Sequence, residues 1–227
     1  MNIGVVIFPG SNCDRDLYRA FKKFNPSNVE FLWHKEPTLP NNLDVCAIPG
    51  GFSFGDYLRT GAIASRSPII KAIIDFANKG GFVLGICNGF QILCECGLLP
   101  GVLIRNKSTR FICQDQELLL CNQDSLFTSL YQKNAKVSFP IAHHDGNYYV
   151  DSRTLQVLLE NNQIAFKYIK GNPNGSVDNI AGVYSKDYKI LGIMPHPERR
   201  VDANIGGSDG ELLFKNICQG PSINNVI

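Results

Sequence analysis

The stretch Gly81-Phe82-Val83-Leu84-Gly85-Ile86-Cys87-Asn88-Gly89-Phe90-Gln91 constrains the fold more than any other part of the chain. Its apolar run Phe82 to Leu84 reads as a short buried strand, Gly85-x-Cys87-x-Gly89 as a sharp turn, and Phe90 to Cys96 as the helix that follows. Glycines two residues before and two after Cys87 remove the Cβ atoms that would collide where strand crosses into helix. The central residue is expected in an unusual backbone conformation. Such an elbow pushes the Cys87 side chain out to where a substrate reaches it. It also sets the sulfur just ahead of a helix N-terminus, whose free N–H groups and dipole favour a thiolate and offer a donor to an oxyanion. A buried strand ending in a glycine turn, with Cys87 as one small apolar side chain, is the competing reading.

At 227 residues, one large α/β domain spanning 1–227 is expected. A net charge of +2, with 44% hydrophobic and 19% charged residues, argues for neither a nucleic-acid nor an anionic-membrane partner. There is no apolar run of transmembrane length, and Met1 to Phe8 lacks the basic region and cleavage site of a signal peptide, so a cytoplasmic location is expected. The eight cysteines are scattered and read as reduced thiols. Cys94-x-Cys96 has no second pair at zinc-like spacing, so no metal site is expected.

In chain order, Asn2 to Phe8 is a first strand ended by Pro9-Gly10-Ser11-Asn12. A helix follows from about Cys13 to Phe24, with Asp14 and Asp16 in its first turn and Leu17, Ala20, Phe21 and Phe24 as its apolar stripe; Asn25-Pro26-Ser27 stops it. Val29 to Trp33 is a second strand, and Leu43 to Ile48 a third that runs into the glycine loop Pro49-Gly50-Gly51-Phe52-Ser53-Phe54-Gly55-Asp56-Tyr57. That loop lies at the carboxyl end of a strand, where open α/β sheets bind ligands. Ser67 as N-cap and Pro68 at the first helical position start an amphipathic helix that delivers the chain to the elbow. The alternation predicts a mostly parallel twisted sheet with helices on both faces. From Val102 the texture changes to short β-like runs (Val102–Ile104, Phe111–Cys113, Leu118–Cys121, Lys136–Phe139, Tyr148–Val150, Ile164–Tyr168 and Ile180–Tyr184), expected as antiparallel additions and a covering layer. Ile190 to Met194 is a last strand, ending in Pro195-His196-Pro197-Glu198, and Gly210 to Cys218 is a closing helix.

A cysteine attacks as thiolate, so Cys87 needs a base. Of the four histidines, His34 reads as a surface or packing residue, and His143-His144-Asp145-Gly146 as a polar loop that either holds a substrate or closes a hairpin. His196 is best placed: prolines fix its backbone, and in an extended chain Glu198 points to the same side. A carboxylate on one ring nitrogen sets the tautomer and leaves the other nitrogen to take the thiol proton. Cys87, His196 and Glu198 then form a triad of nucleophile, base and orienting acid. Taken alone, His196 reads better as a satisfied histidine in a proline-rich turn and Glu198 as a solvated carboxylate beside Arg199 and Arg200. The elbow, the His-x-Glu and the glycine loop, however, all fall at carboxyl ends of predicted strands, which share one edge of a parallel sheet. The N–H of Gly51 or Phe52 could pair with that of Asn88 as an oxyanion hole, each donor contributing roughly 2.7 to 4 kcal/mol in the transition state. The chemistry is acyl transfer through a thioester; the residues alone leave the acyl group open.

With these residues in view, the chain resembles the class I, triad-type glutamine amidotransferase family, and more narrowly the glutaminase subunits of phosphoribosylformylglycinamidine synthase. The matching stretches are Phe8 to Asp14, Pro49 to Arg59, Gly85 to Gln91, Ile141 to His143, Asn172 to Ser176 and Met194 to Arg199. The resemblance implies that Cys87 attacks the side-chain amide of glutamine, that His196 and Glu198 activate it, and that Gly51, Phe52 and Gln91 help hold the substrate. It implies no cofactor in this chain. Ammonia would pass to a synthetase subunit, which uses ATP and Mg to aminate formylglycinamide ribonucleotide, and a small bridging subunit is expected beside it. Where the family usually has His-Gly-Glu-Gly, this chain has His143-His144-Asp145-Gly146. Two other readings compete: a stand-alone cysteine hydrolase of γ-glutamyl compounds, active without a partner, and a noncatalytic chaperone or redox sensor on the same sheet.

Overall fold

The computed structural model describes residues 1–25 and 27–220. Strand and helix alternate first: β1 (Ile3–Ile7), α1 (Asp14–Phe24), β2 (Val29–Trp33), β3 (Val45–Ile48), α2 (Pro68–Asn78), β4 (Phe82–Ile86) and α3 (Asn88–Glu95). Then come β5 (Val102–Ile104), β6 (Ile112–Leu120), β7 (Lys136–His143), β8 (Asn147–Tyr149), α4 (Ser152–Glu160), β9 (Ile164–Tyr168), β10 (Ile180–Tyr184), β11 (Ile190–Ile193) and α5 (Glu211–Gln219). One sheet has the order β2-β1-β3-β4-β11-β10-β9-β6-β7, while β5 and β8 pair apart from it. From β2 to β11 the strands run parallel; beyond β11 they are antiparallel. This is the α/β architecture the alternation predicts, with the antiparallel additions in the second half.

Residues of β3 and β11 are buried along their whole length, as parallel strands covered on two faces must be, and their sequences are accordingly unbroken apolar runs. The chain crosses from β1 outward to β2, then returns past β1 to β3 and β4. Right-handed crossovers in opposite directions place α1 and α2 on opposite faces. α1 packs on α5, where Phe21 and Phe214 meet edge to face at 5.0 Å, and α3 covers β4 and β11. Strand order reverses between β1 and β3, the place where a crevice opens outside the carboxyl ends. The loops leaving these two strands are tied together there: Phe52 N–H donates to Gly10 O at 3.1 Å and Phe54 N–H to Pro9 O at 2.6 Å. Among the described residues no helix is long and apolar enough to cross a membrane.

Several local features depart from the sequence reading, each for a physical reason. Phe111–Cys113 and Leu118–Cys121 are not two runs but the single strand β6, because the polar residues between them pair with β7 from Ile112–His143 to Leu119–Lys136. β9 pairs only with Leu118 to Leu120, so Cys113 to Asp115 stay exposed and show no apolar pattern. The same pairing extends β7 to His143, which ends a strand instead of opening a loop. α4 has no counterpart in the reading. Its Asp151 cap accepts the Thr154 N–H at 2.8 Å, but Val157 and Leu159 are exposed beside buried Leu158, and three consecutive apolar residues blur a helical period. Ser67 holds the N-cap position of α2 without a side-chain capping bond. Pro26, expected to stop α1, and the tail 221–227 of the expected single domain lie outside the described residues.

Candidate active site

Since β3, β4 and β11 are adjacent and parallel, with Ile48 opposite Gly85 and Ile193 opposite Ile86, their carboxyl ends stand side by side. The glycine loop, Cys87 and His196 therefore converge, as the sequence reading expected. Cys87 has φ +51 and ψ −104, a conformation that costs a non-glycine residue on the order of 1–3 kcal/mol and persists only when its surroundings enforce it. They do: Cys87 N–H donates to Ile193 O at 2.8 Å, and Cys87 O accepts from Gln91 N–H at 3.1 Å. Gly89 is needed because a Cβ there would lie 2.1 Å from Ile48 O. That obstacle is backbone and cannot swing aside. Gly89→Ala is therefore expected to push α3 off β3, destabilising the protein by about 3 kcal/mol and lowering activity; the urea midpoint measures the first and ammonia release the second.

His196 and Glu198 meet, though not by the expected route. The segment is not extended: His196 has φ −105 and ψ 84, and Pro197–Arg199 form a 3-10 turn. The turn folds the carboxylate back onto the ring, with Nδ1 and Glu198 Oε1 2.6 Å apart and both side chains buried. A carboxylate only accepts, so Nδ1 carries a proton and Nε2 is the nitrogen left to exchange one. Nε2 makes no hydrogen bond within the described residues. The carbonyls of β7 fix the frame: His196 N–H donates to Pro140 O at 2.8 Å, and the Cys87 thiol faces Ala142 O at 3.9 Å. Cys87 and His196 flank Gly50, where a Cβ would sit 2.7 Å from His196 Cε1 and 3.3 Å from Cys87 Cβ; the glycine leaves room for the two side chains to meet. Burial on its own would hold the His196 imidazole down, but the charges of Glu198 and Cys87 and the nearby Cys13 raise its pKa well above the ordinary value. This imidazole therefore holds a proton more firmly than a free one.

The expected substrate contacts divide. Phe52 N–H is committed to Gly10 O, which removes it from the two alternatives expected for an oxyanion donor and leaves Gly51. The Phe52 ring is exposed at the mouth, 6.4 Å from Phe111. Asn88 and Gln91 are buried and act on the walls of the site: Asn88 Oδ1 accepts from Ser53 N–H at 3.2 Å, Asn88 Nδ2 donates to Gln91 Oε1 at 2.9 Å, and Gln91 Nε2 donates to Asp145 O at 2.7 Å. This relay spans the glycine loop, α3 and the His143–Gly146 segment.

Sequence reading missed what holds that last segment. Asn106 Nδ2 donates to His143 O at 2.9 Å and Oδ1 accepts from Gly146 N–H at 3.0 Å, while Asn174 Nδ2 donates to Gly146 O at 2.7 Å. Within Asn172–Ser176, one of the stretches that match the family, the buried Asn174 is a clamp. Asn106 stands in the polar run Asn106-Lys107-Ser108-Thr109, which gives no signal of burial. His143 is buried, and burial, with the charge of His196 beside it, pushes its imidazole down to about 4, so it is neutral at physiological pH. His34 packs among Phe8, Trp33 and Phe54, in keeping with its reading as a packing residue. At the mouth, burial and then Asp145 push the Asp56 carboxyl up to about 6.

Thiol, imidazole and carboxylate at one sheet edge, beside backbone N–H groups, are the parts of covalent acyl transfer. The profile of the CobB/CobQ-like glutamine amidotransferase domain matches residues 1–206. The phosphoribosylformylglycinamidine synthase subunit PurQ of Cereibacter sphaeroides is 53% identical over 98% of this chain and 100% of its own length. That of Ruegeria sp. is 51% identical over 95% and 96%. A chain in the structure of PurLQS from Thermotoga maritima superposes with a TM-score of 0.86 at 40% identity, covering 96% of this chain and 97% of that one. The chain belongs to the CobB/CobQ-like glutamine amidotransferase family.

Proposed function

We propose that this chain is the glutaminase subunit of a phosphoribosylformylglycinamidine synthase and that Cys87, His196 and Glu198 carry its chemistry. The observation that supports the triad most is the buried 2.6 Å His196–Glu198 pair, set at the same sheet edge as Cys87. The relatives described as subunits of that synthase support the pathway. His196 Nε2 takes the Cys87 proton, and the thiolate attacks the side-chain amide carbon of glutamine. The N–H groups of Asn88 and Gly51 hold the oxyanion. The imidazolium then protonates the departing nitrogen, releasing ammonia and leaving a thioester. Water, deprotonated by the same ring, hydrolyses it to glutamate.

Ammonia passes to a synthetase subunit, where ATP and Mg support conversion of formylglycinamide ribonucleotide to formylglycinamidine ribonucleotide; a small bridging subunit completes the assembly. Coupling of the two reactions should raise glutamine turnover when the synthetase and its substrates are added. Ammonia release from glutamine, measured with and without them, tests this. Equal turnover in both would instead favour a stand-alone hydrolase, and no release in either would defeat the assignment.

A further inference from the structure

We infer that Cys13, His196 and Glu198 form a binding site for a thiophilic divalent cation of the Zn²⁺ type, and that its occupancy switches the triad off. Cys13 sits in the loop after β1, His196 and Glu198 in the turn after β11. One sulfur, one ring-nitrogen and one carboxylate-oxygen atom of these residues lie within 4.8 Å of one another, and all three side chains are buried. Thiolate, imidazole and carboxylate are the donors that zinc takes. Two donor atoms, His196 Nε2 and Glu198 Oε2, have no hydrogen-bond partner within the described residues. Reading the sequence for cysteine pairs at short spacing passed over this set, whose members come from opposite ends of the chain.

The charges balance. Cys13 releases its thiol proton to solvent, the imidazole stays neutral, and the two negative ligands match the cation. Arg199 Nη2 donates to Cys13 Sγ at 3.1 Å, an outer contact that orients the ligand sulfur, and its own charge is met by Asp16 Oδ2 at 3.5 Å. Inhibition follows whichever ring nitrogen binds. On Nε2 the cation blocks the base directly. On Nδ1 it displaces Glu198 from the ring and leaves the imidazole proton on Nε2, which then cannot accept a proton from Cys87.

The probe is Co²⁺ added to the whole chain, because a thiolate ligand gives a charge-transfer band that carboxylate and imidazole do not. The inhibition arm rests on the glutaminase reading; the spectrum does not. The band is expected in the unaltered protein and in Cys87→Ala, and is expected to vanish in Cys13→Ser. Inhibition of ammonia release by Zn²⁺, scaled to each protein's own metal-free rate, should need at least about tenfold more metal in Cys13→Ser. A band that persists in Cys13→Ser, or that is missing from Cys87→Ala, overturns the proposal. Thermal melts identify a Cys13 variant that has failed to fold; in that case the Co²⁺ titration of His196→Ala decides, which is expected to need at least about tenfold more metal for the same band, and an unchanged titration overturns the proposal.

Discussion

Cys87→Ala is expected to abolish ammonia release from glutamine, with turnover falling by about 10⁴-fold or more, the scale reached when a nucleophile that acts in concert with its base is removed. The loss is chemical, not structural. Alanine keeps the Cβ and can be held at the same φ of +51 by the bonds from Cys87 N–H to Ile193 O and from Gln91 N–H to Cys87 O. The variant should therefore unfold at nearly the same urea concentration as the parent. His196→Ala is expected to give a similar loss, and the double variant little more than either alone, because both residues serve one covalent step. Turnover within tenfold of the parent in Cys87→Ala, with an unchanged unfolding midpoint, would falsify the assignment of the nucleophile.

The parts of this site readable from sequence are those whose signal is local. Gly85-x-Cys87-x-Gly89 imposes an elbow because each glycine stands where a Cβ would meet α3 or β3. The apolar runs of β3, β4 and β11 place three loops on one edge once they are taken as parallel neighbours. What escaped depends on contacts distant in sequence. Asn106 and Asn174 are polar residues in polar turns, and only the folded chain shows both closing on Gly146. β6 hides its central residues because strand pairing fixes backbone, whatever the side chains. The His196–Glu198 contact was expected for the wrong reason: two residues alternate on one side of an extended chain, whereas here a 3-10 turn brings them together.

That turn makes Glu198→Gln the sharpest test of the orienting acid. Glutamine keeps the shape of the side chain but loses its charge, and its amide can offer an N–H to Nδ1, which favours the tautomer with the proton on Nε2. The ring then cannot accept the thiol proton, and a loss of about 10⁴-fold in turnover is expected, as for the equivalent change in a serine protease triad. The pH dependence follows in sign. Burial holds the imidazole down and Glu198 leads the charges that raise it above the ordinary 6.5; removing that charge leaves burial acting and drops the value. The alkaline limb of kcat/KM, where the imidazolium loses the proton it must give to ammonia, should move to lower pH. Stability moves with it. A raised histidine contributes stability that is full below 6.5 and is lost as pH rises through its folded value. The parent's advantage over Glu198→Gln should therefore be largest in acid and shrink with alkali, as urea unfolding across pH would show. An alkaline limb that stays in place, or an advantage that grows with pH, would mean that Glu198 neither orients nor charges His196.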